Sequence, residues 1–370
     1  MITIDFSILK FYSKILKMIN NNESYILVKL IPNHFADPIS ALCLTPDFIM
    51  IGTMMGSIIL YDIENQLALL LSELNSENIS DISYNEDEST FLVAIGDEEI
   101  KAYKTFNITT ESPISISIYD SEMKHNQNCE NSYVLLSSDY LFRIQLGQID
   151  EGSFIVNNSN QEYELKQINL TEEENKYFIG KLQMSNYSVP FDFDGKYFLW
   201  VEFLSNEKRN ICIADVISMI ISPEEKPKKY ELDINIIKHI SFAKILKNNK
   251  IFFVHSNNIC EIRILDDKFT LNETFVHNGE EVYAVDIYYE IDNNNNYEMN
   301  IITLDIKGNV NLYKNKKEIT LFNMYNLNTI DKDYKEKQFF SMGYQYFIKS
   351  NLTYFCVSSD HGCFIIKKNK

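Results

Sequence analysis

Tryptophan occurs once in the 370 residues, proline seven times and glycine eleven times. So little glycine and proline excludes a collagen-like repeat and a low-complexity linker protein. Cysteine is also scarce. The six thiols form no C-x-x-C, which excludes a disulfide-dense scaffold and a paired zinc-ligand motif. Positive charge is the other deficit: 34 Lys and Arg stand against 52 Asp and Glu, a net charge of −18. Nucleic acid as the main partner is excluded on that balance, because a phosphate backbone needs clustered cations. No apolar run reaches the ~18–20 residues of a membrane-spanning helix, so no transmembrane segment is expected. The motifs G-x-S-x-G, H-E-x-x-H, G-x-x-x-x-G-K-[ST] and G-x-G-x-x-G are all absent. The six histidines share no ligand-like spacing. The expectation is a protein with no catalytic residue, no cofactor and no metal. Cys356, His361 and Cys363 lie close in sequence, but core thiols beside a turn histidine are the simpler reading.

What is present is apolar and strand-like. Hydrophobic residues make up 45% of the chain and aromatics 13%, enough for a packed core. The first 22 residues stand apart as a helical extension. Ile8, Phe11, Tyr12, Ile15, Met18 and Ile19 recur at helical spacing, with Ser7, Lys10, Lys14 and Lys17 opposite. Three readings compete for it: a packing helix, an upstream extension with Met18 as the true start, or an anchor that brings residues 1–19 to a membrane surface or a partner. Five of the cysteines sit in strand-like stretches. With no signal-peptide pattern, free thiols and an intracellular, cytoplasmic or nuclear, setting are expected.

From residue 23 to residue 370 one pattern recurs: an apolar run, a turn, then a second alternating run. It is seen in FIMIGTMMGSIILYDI (48–63), FLVAIGDEEIKAYKT (91–105), VLLSSDYLFRIQLG (134–147) and FLWVEFLSNEKRNICIADV (198–216). It returns in FFVHSNNICEIRIL (252–265), IITLDIKGNVNLYKN (301–315) and FCVSSDHGCFIIKKN (355–369). Each hairpin follows a further strand-like run: ISALCL, ISDISY, ISISIY, VPFDFD, ISFAKIL, VYAVDIYY and FSMGYQYF. Four strands per unit at intervals of roughly 40 to 60 residues is the arithmetic of a β-propeller blade. The polar stretches 120–132, 148–188, 217–238, 290–299 and 321–338 read as surface loops.

The segments GTMMGSIILYDI and SSDHGCFIIKK resemble the middle of a WD40 repeat, with Tyr61-Asp62 where Trp-Asp is typical. Tyr103-Lys104 and Tyr313-Lys314 are more degenerate forms. Trp200 lies one strand too early for that role, and no Gly-His opens a repeat. The resemblance implies an all-β, seven-bladed WD40-like β-propeller preceded by a short N-terminal helix. It also implies blades held by apolar packing, since the family's His/Ser/Asp/Trp hydrogen-bonded network is not legible. The orphan strand YILVKLI (25–31) is expected to pair as the outer strand of the last blade, hiding an edge.

The resemblance implies a non-catalytic scaffold that binds other proteins within a multiprotein complex. The excess negative charge suits partners with basic surfaces. In such propellers the loops from outer to inner strand and from second to third strand share a face. That expectation selects Phe35, Met54, Met55, Tyr140, Asn257, Asn258 and His361 as partner-binding residues. Two other readings stand beside it. One is a propeller hydrolase using carboxylates of first strands, Asp192, Asp194 and Asp286. The other is a membrane-surface effector recruited by the helix that carries Lys10, Lys14 and Lys17.

Overall fold

A computed structural model describes residues 25–32, 37–72, 77–87, 89–96, 99–105, 115–117, 129–137, 140–147, 158–167, 177–185, 188–205, 208–222, 225–233, 240–277, 280–291, 297–314, 317–324, 346–351, 353–360 and 362–368. The amphipathic segment 1–22 lies outside them. Among the described residues there are seven four-stranded antiparallel sheets.

The chain opens on β1 (Tyr25–Pro32) and then lays down the sheets in order. The first contains β2 (Ile39–Leu44), β3 (Phe48–Thr53), β4 (Ile58–Asp62) and β5 (Leu67–Ser72). The second contains β6 (Ile79–Asn85), β7 (Thr90–Ile95), β8 (Glu99–Lys104) and β9 (Ser115–Ser117). The third contains β10 (Cys129–Leu136), β11 (Tyr140–Gly147), β12 (Asn158–Gln167) and β13 (Tyr177–Ser185). The fourth contains β14 (Ser188–Phe193), β15 (Tyr197–Ser205), β16 (Lys208–Asp215) and β17 (Lys228–Asp233), with α1 (Val216–Ile221) joining its last two strands. The fifth contains β18 (Ile240–Leu246), β19 (Lys250–His255), β20 (Ile259–Ile264) and β21 (Leu271–Val276). The sixth contains β22 (Val282–Ile291), β23 (Tyr297–Asp305), β24 (Asn309–Lys314) and β25 (Lys317–Asn323). The seventh contains β26 (Ile348–Ser350), β27 (Tyr354–Ser359) and β28 (Gly362–Lys368), and its fourth place is taken by β1, antiparallel to β28.

Two compact units divide the chain: Met1–Asn75 with His277–Lys370, and Ser76–Val276. The first holds sheets one, six and seven; the second holds sheets two to five. Within each unit the apolar cores lie between neighbouring sheets. Sheets three and four enclose Phe142, Tyr163, Phe193, Phe198 and Trp200. Phe142 lies 4.3 Å from Phe198, and Trp200 stacks on Phe198 at 5.1 Å. Sheets seven and one enclose Ile31, Ile49, Tyr61, Cys356, Cys363 and Ile365. The middle strands are buried on both faces: all six residues of β7 are buried. That explains why they read as continuous apolar runs rather than as alternation.

Several sequence expectations are corrected here. ISISIY does not open the third sheet: Ser115–Ser117 is the fourth strand of the second sheet. The hairpin at 134–147 therefore joins the first and second strands of its sheet, not the second and third. Residues 148–188, read as a loop, contain β12 and β13. The described buried side chains there are Tyr163, Leu165, Leu182 and Met184, too sparse to show as an apolar run. Residues 217–238 likewise contain most of α1 and all of β17, while 290–299 and 321–338 contain ends of β22, β23 and β25. The first strand of the seventh sheet begins at Ile348, just past the end of FSMGYQYF.

The first strands are stitched to one another by aspartates. Asp81 of β6 accepts from the Leu136 N–H of β10 at 2.9 Å. Asp192 of β14 accepts from the Ile245 N–H of β18 at 2.7 Å. Asp286 of β22 accepts from the Ser350 N–H at 2.7 Å and from its hydroxyl at 2.9 Å. A short carboxylate satisfies a backbone donor of the next sheet, which would otherwise be buried without a partner. The Asp286→Ala variant should lose about 1.5–3 kcal/mol in urea unfolding, the range for a hydrogen bond to a charged group, with the slope against urea unchanged. An unchanged midpoint would show the stitch to be idle.

Candidate protein-interaction surface

In four sheets the segment ahead of the first strand is bonded to the turn between the second and third strands. In the first sheet Met55 N–H donates to Asp37 Oδ1 at 3.0 Å, and Met54 N–H donates to Pro38 O at 2.9 Å. Gly56 completes that turn at φ 87°, where a Cβ would be strained. In the second sheet Gly96 N–H donates to Asn78 O at 2.6 Å. In the seventh sheet the Tyr346 hydroxyl donates to Asp360 Oδ1 at 2.6 Å, and Phe347 N–H donates to Ser358 Oγ at 2.7 Å.

The sixth sheet uses a buried histidine. His277 lies between β21 and β22 and is wholly buried. Its Nε2 is 3.2 Å from Asp305 Oδ2, and its Nδ1 is 3.0 Å from the Tyr313 hydroxyl. Thr303, Asn311 and Glu318 Oε1 complete the shell at 3.4, 3.2 and 3.2 Å. Asp305 also accepts from Asn309 N–H at 2.8 Å and from Asn309 Nδ2 at 2.9 Å, closing the turn at Gly308. Burial pushes the Asp305 carboxyl up, but hydrogen bonds from His277 and Asn309 outweigh it and hold its pKa below the ordinary value.

The turns between second and third strands carry some of the expected partner-binding residues. Met54 and Met55 sit side by side on the first sheet's turn, each about half exposed, at 49% and 50%. Asn257 and Asn258 form the corresponding turn of the fifth sheet, with Asn257 exposed and at φ 72°. Behind them Glu261 joins buried His255 at 3.2 Å and Arg263 at 2.7 Å. Tyr140 is elsewhere. It follows the turn between the first and second strands of the third sheet, where its N–H donates to Ser137 Oγ at 3.1 Å. It packs near Gly195 of the equivalent turn in the fourth sheet, at the opposite end of the strands from the second-to-third-strand turns. The misplacement follows directly from the misassigned hairpin. Phe35 and His361 lie outside the described residues.

The carboxylates of the hydrolase reading are occupied. Asp192 and Asp286 hold backbone N–H groups of neighbouring strands. Asp194 accepts from Lys196 N–H at 2.9 Å and Tyr197 N–H at 2.7 Å, capping a turn. Among the described residues no group of three or more His, Cys, Asp or Glu is arranged to hold a metal ion.

No family model matches the sequence, and no curated protein matches it. Solved structures do. The WD40 β-propeller domain of Doa1 aligns over 94% of this chain and 98% of its own, with a TM-score of 0.54 and 12% identity. The β-propeller domain of Cps50 (Swd1) from Myceliophteria thermophila aligns over 92% of this chain and 99% of its own, with a TM-score of 0.54 and 9% identity. The chain folds as a WD40-like β-propeller. The WD40 likeness corrects a further expectation. Among the described residues, the sixth sheet holds a counterpart of the His/Ser/Asp/Trp network in His277, Thr303, Asp305 and Tyr313. It escaped notice because Val276 precedes the histidine in place of glycine and a tyrosine replaces the tryptophan.

The depressed Asp305 pKa sets a pH dependence. Its folded value lies below the unfolded one, so its contribution is present above about pH 4 and is lost as pH falls through the folded value. Asp305→Asn should cost about 1–3 kcal/mol at neutral pH by urea unfolding, and the gap to wild type should narrow in acid. A gap that is constant with pH would assign the loss to packing instead.

Proposed function

We propose that this WD40-like propeller is a non-catalytic scaffold that binds other proteins and assembles them into a complex. The observation that carries the reading is the first sheet's turn. Met54 and Met55 are apolar and half exposed, yet their backbone is pinned by Asp37 and Pro38. A surface fixed in advance loses little conformational freedom on binding, and methionine adapts to varied partner shapes. The bonds made by Asp192, Asp194 and Asp286 give these carboxylates a structural role, which supports this reading over a hydrolase. A reducing, intracellular setting fits the free thiols Cys212, Cys260, Cys356 and Cys363 in the core. The net charge of −18 favours partners with basic surfaces.

Affinity purification of the full chain with crosslinking tests the reading. Partners should crosslink to the first sheet and fall at least about tenfold in recovery with Met54→Glu/Met55→Glu, a loss of ~1.4 kcal/mol. Recovery of this chain alone, as a monomer, would overturn it.

A further inference from the structure

A propeller of separate sheets leaves an outer strand at the rim of each one, and such an edge presents unpaired N–H and C=O groups. Most outer strands here contain charged residues in their sequence: β1 Lys29, β13 Lys181, β17 Lys228, Lys229 and Glu231, β21 Glu273, and β25 Lys317 and Glu318. Among outer strands of six residues or more, β5 alone has no charged residue; it reads LALLLS. Among the described residues it pairs on one side only, with β4, from Leu67 opposite Asp62 to Ser72 opposite Ile58. A bulge falls near Leu71, so Leu67–Leu70 is the regular stretch.

Both sides of this edge are apolar and exposed. Leu67 is 45% exposed and Leu70, three residues on and so on the other face, is 47%. The Met54–Met55 turn lies at the same end of the sheet as Leu70, because Ile58 pairs both with Gly52 and with Ser72. The stretch is bracketed in sequence by Glu64, which is exposed, and Glu73.

We propose that β5 is a docking edge for an extended segment of another protein, apolar at alternate positions and flanked by Lys or Arg. The segment adds as a fifth strand: backbone groups of Leu67–Leu70 bind its main chain, and Leu67 and Leu70 flank its side chains. Charge selects this occupant over a second copy of the chain. Antiparallel pairing of two β5 strands would bring the Glu64 end of one towards the Glu73 end of the other, between molecules that each carry −18. The surface is additional to the Met54–Met55 turn proposed above and extends it.

Selection from a random peptide library displayed on phage, with the full chain as bait, tests this. Enriched peptides should alternate apolar residues between Lys or Arg flanks. Synthetic versions should bind at least about tenfold more weakly to Leu67→Lys/Leu70→Lys, whose exposed sites leave the melting curve unchanged. Enriched peptides that bind the double variant equally well overturn the proposal, as does a selection that enriches none. Concentration-dependent dimers dissolved by Leu70→Lys would give the edge to a second copy and overturn it too. So would peptide binding seen only after removal of residues 1–24, which would assign the edge to the chain's own lysine-bearing N-terminal segment.

Discussion

The antiparallel pairing of Tyr25–Pro32 with Gly362–Lys368 is the constraint on which the seventh sheet rests. Without it that sheet would consist of two full strands and the three-residue β26, and β28 would be an open apolar edge. The two strands run side by side from Tyr25 opposite Lys368 to Pro32 opposite Gly362, with one irregularity between Leu27 and Lys29. Ladder bonds at ~0.5–1.5 kcal/mol each sum to several kcal/mol, a large share of a domain's ~5–15 kcal/mol. Burial of Ile31 and partial burial of Val28 against Cys363 and Ile365 add to it. The far end of β28 is fixed as well. Lys368 Nζ donates to Asn351 O at 2.7 Å and to the Tyr288 hydroxyl at 2.9 Å, and it lies over the rings of Tyr288 and Phe355. Burial lowers its pKa to about 8.

Around this join the same devices recur in both units. Aspartates on first strands hold the next sheet, and segments ahead of first strands hold the turns between second and third strands. These are polar interactions at the margins of apolar cores, where they fix register and loop position as much as stability. A loop braced in this way can offer an apolar side chain without first having to be ordered. That is the physical link between the fold and the proposed binding role: the frame fixes the turn, and the turn fixes the backbone of Met54 and Met55. The same bonds give Asp192, Asp194 and Asp286 a structural task.

Legibility in the sequence followed burial. Middle strands such as β7 and β19 are buried on both faces and were plain as apolar runs, so most hairpins were found at their true positions. Strands with few apolar positions were hard to see: β12, third in its sheet, reads NSNQEYELKQ, with only Tyr163 and Leu165 as described buried positions. Missing β12 and β13 shifted the third sheet and carried Tyr140 to the wrong end of its strands. The sixth-sheet network was hidden for a different reason. Its partners are spread from His277 to Tyr313, and a phenol does the work expected of an indole, so no dipeptide marks it. The aspartate stitches were equally invisible, because their donors are backbone N–H groups 53 to 64 residues away.

The most direct measurement is the urea unfolding of a chain that begins at residue 33, compared with the full chain at the same protein concentration. The account predicts a loss of several kcal/mol, with rapid hydrogen exchange at the amides of Gly362–Lys368. An unchanged midpoint with those amides still protected would contradict it.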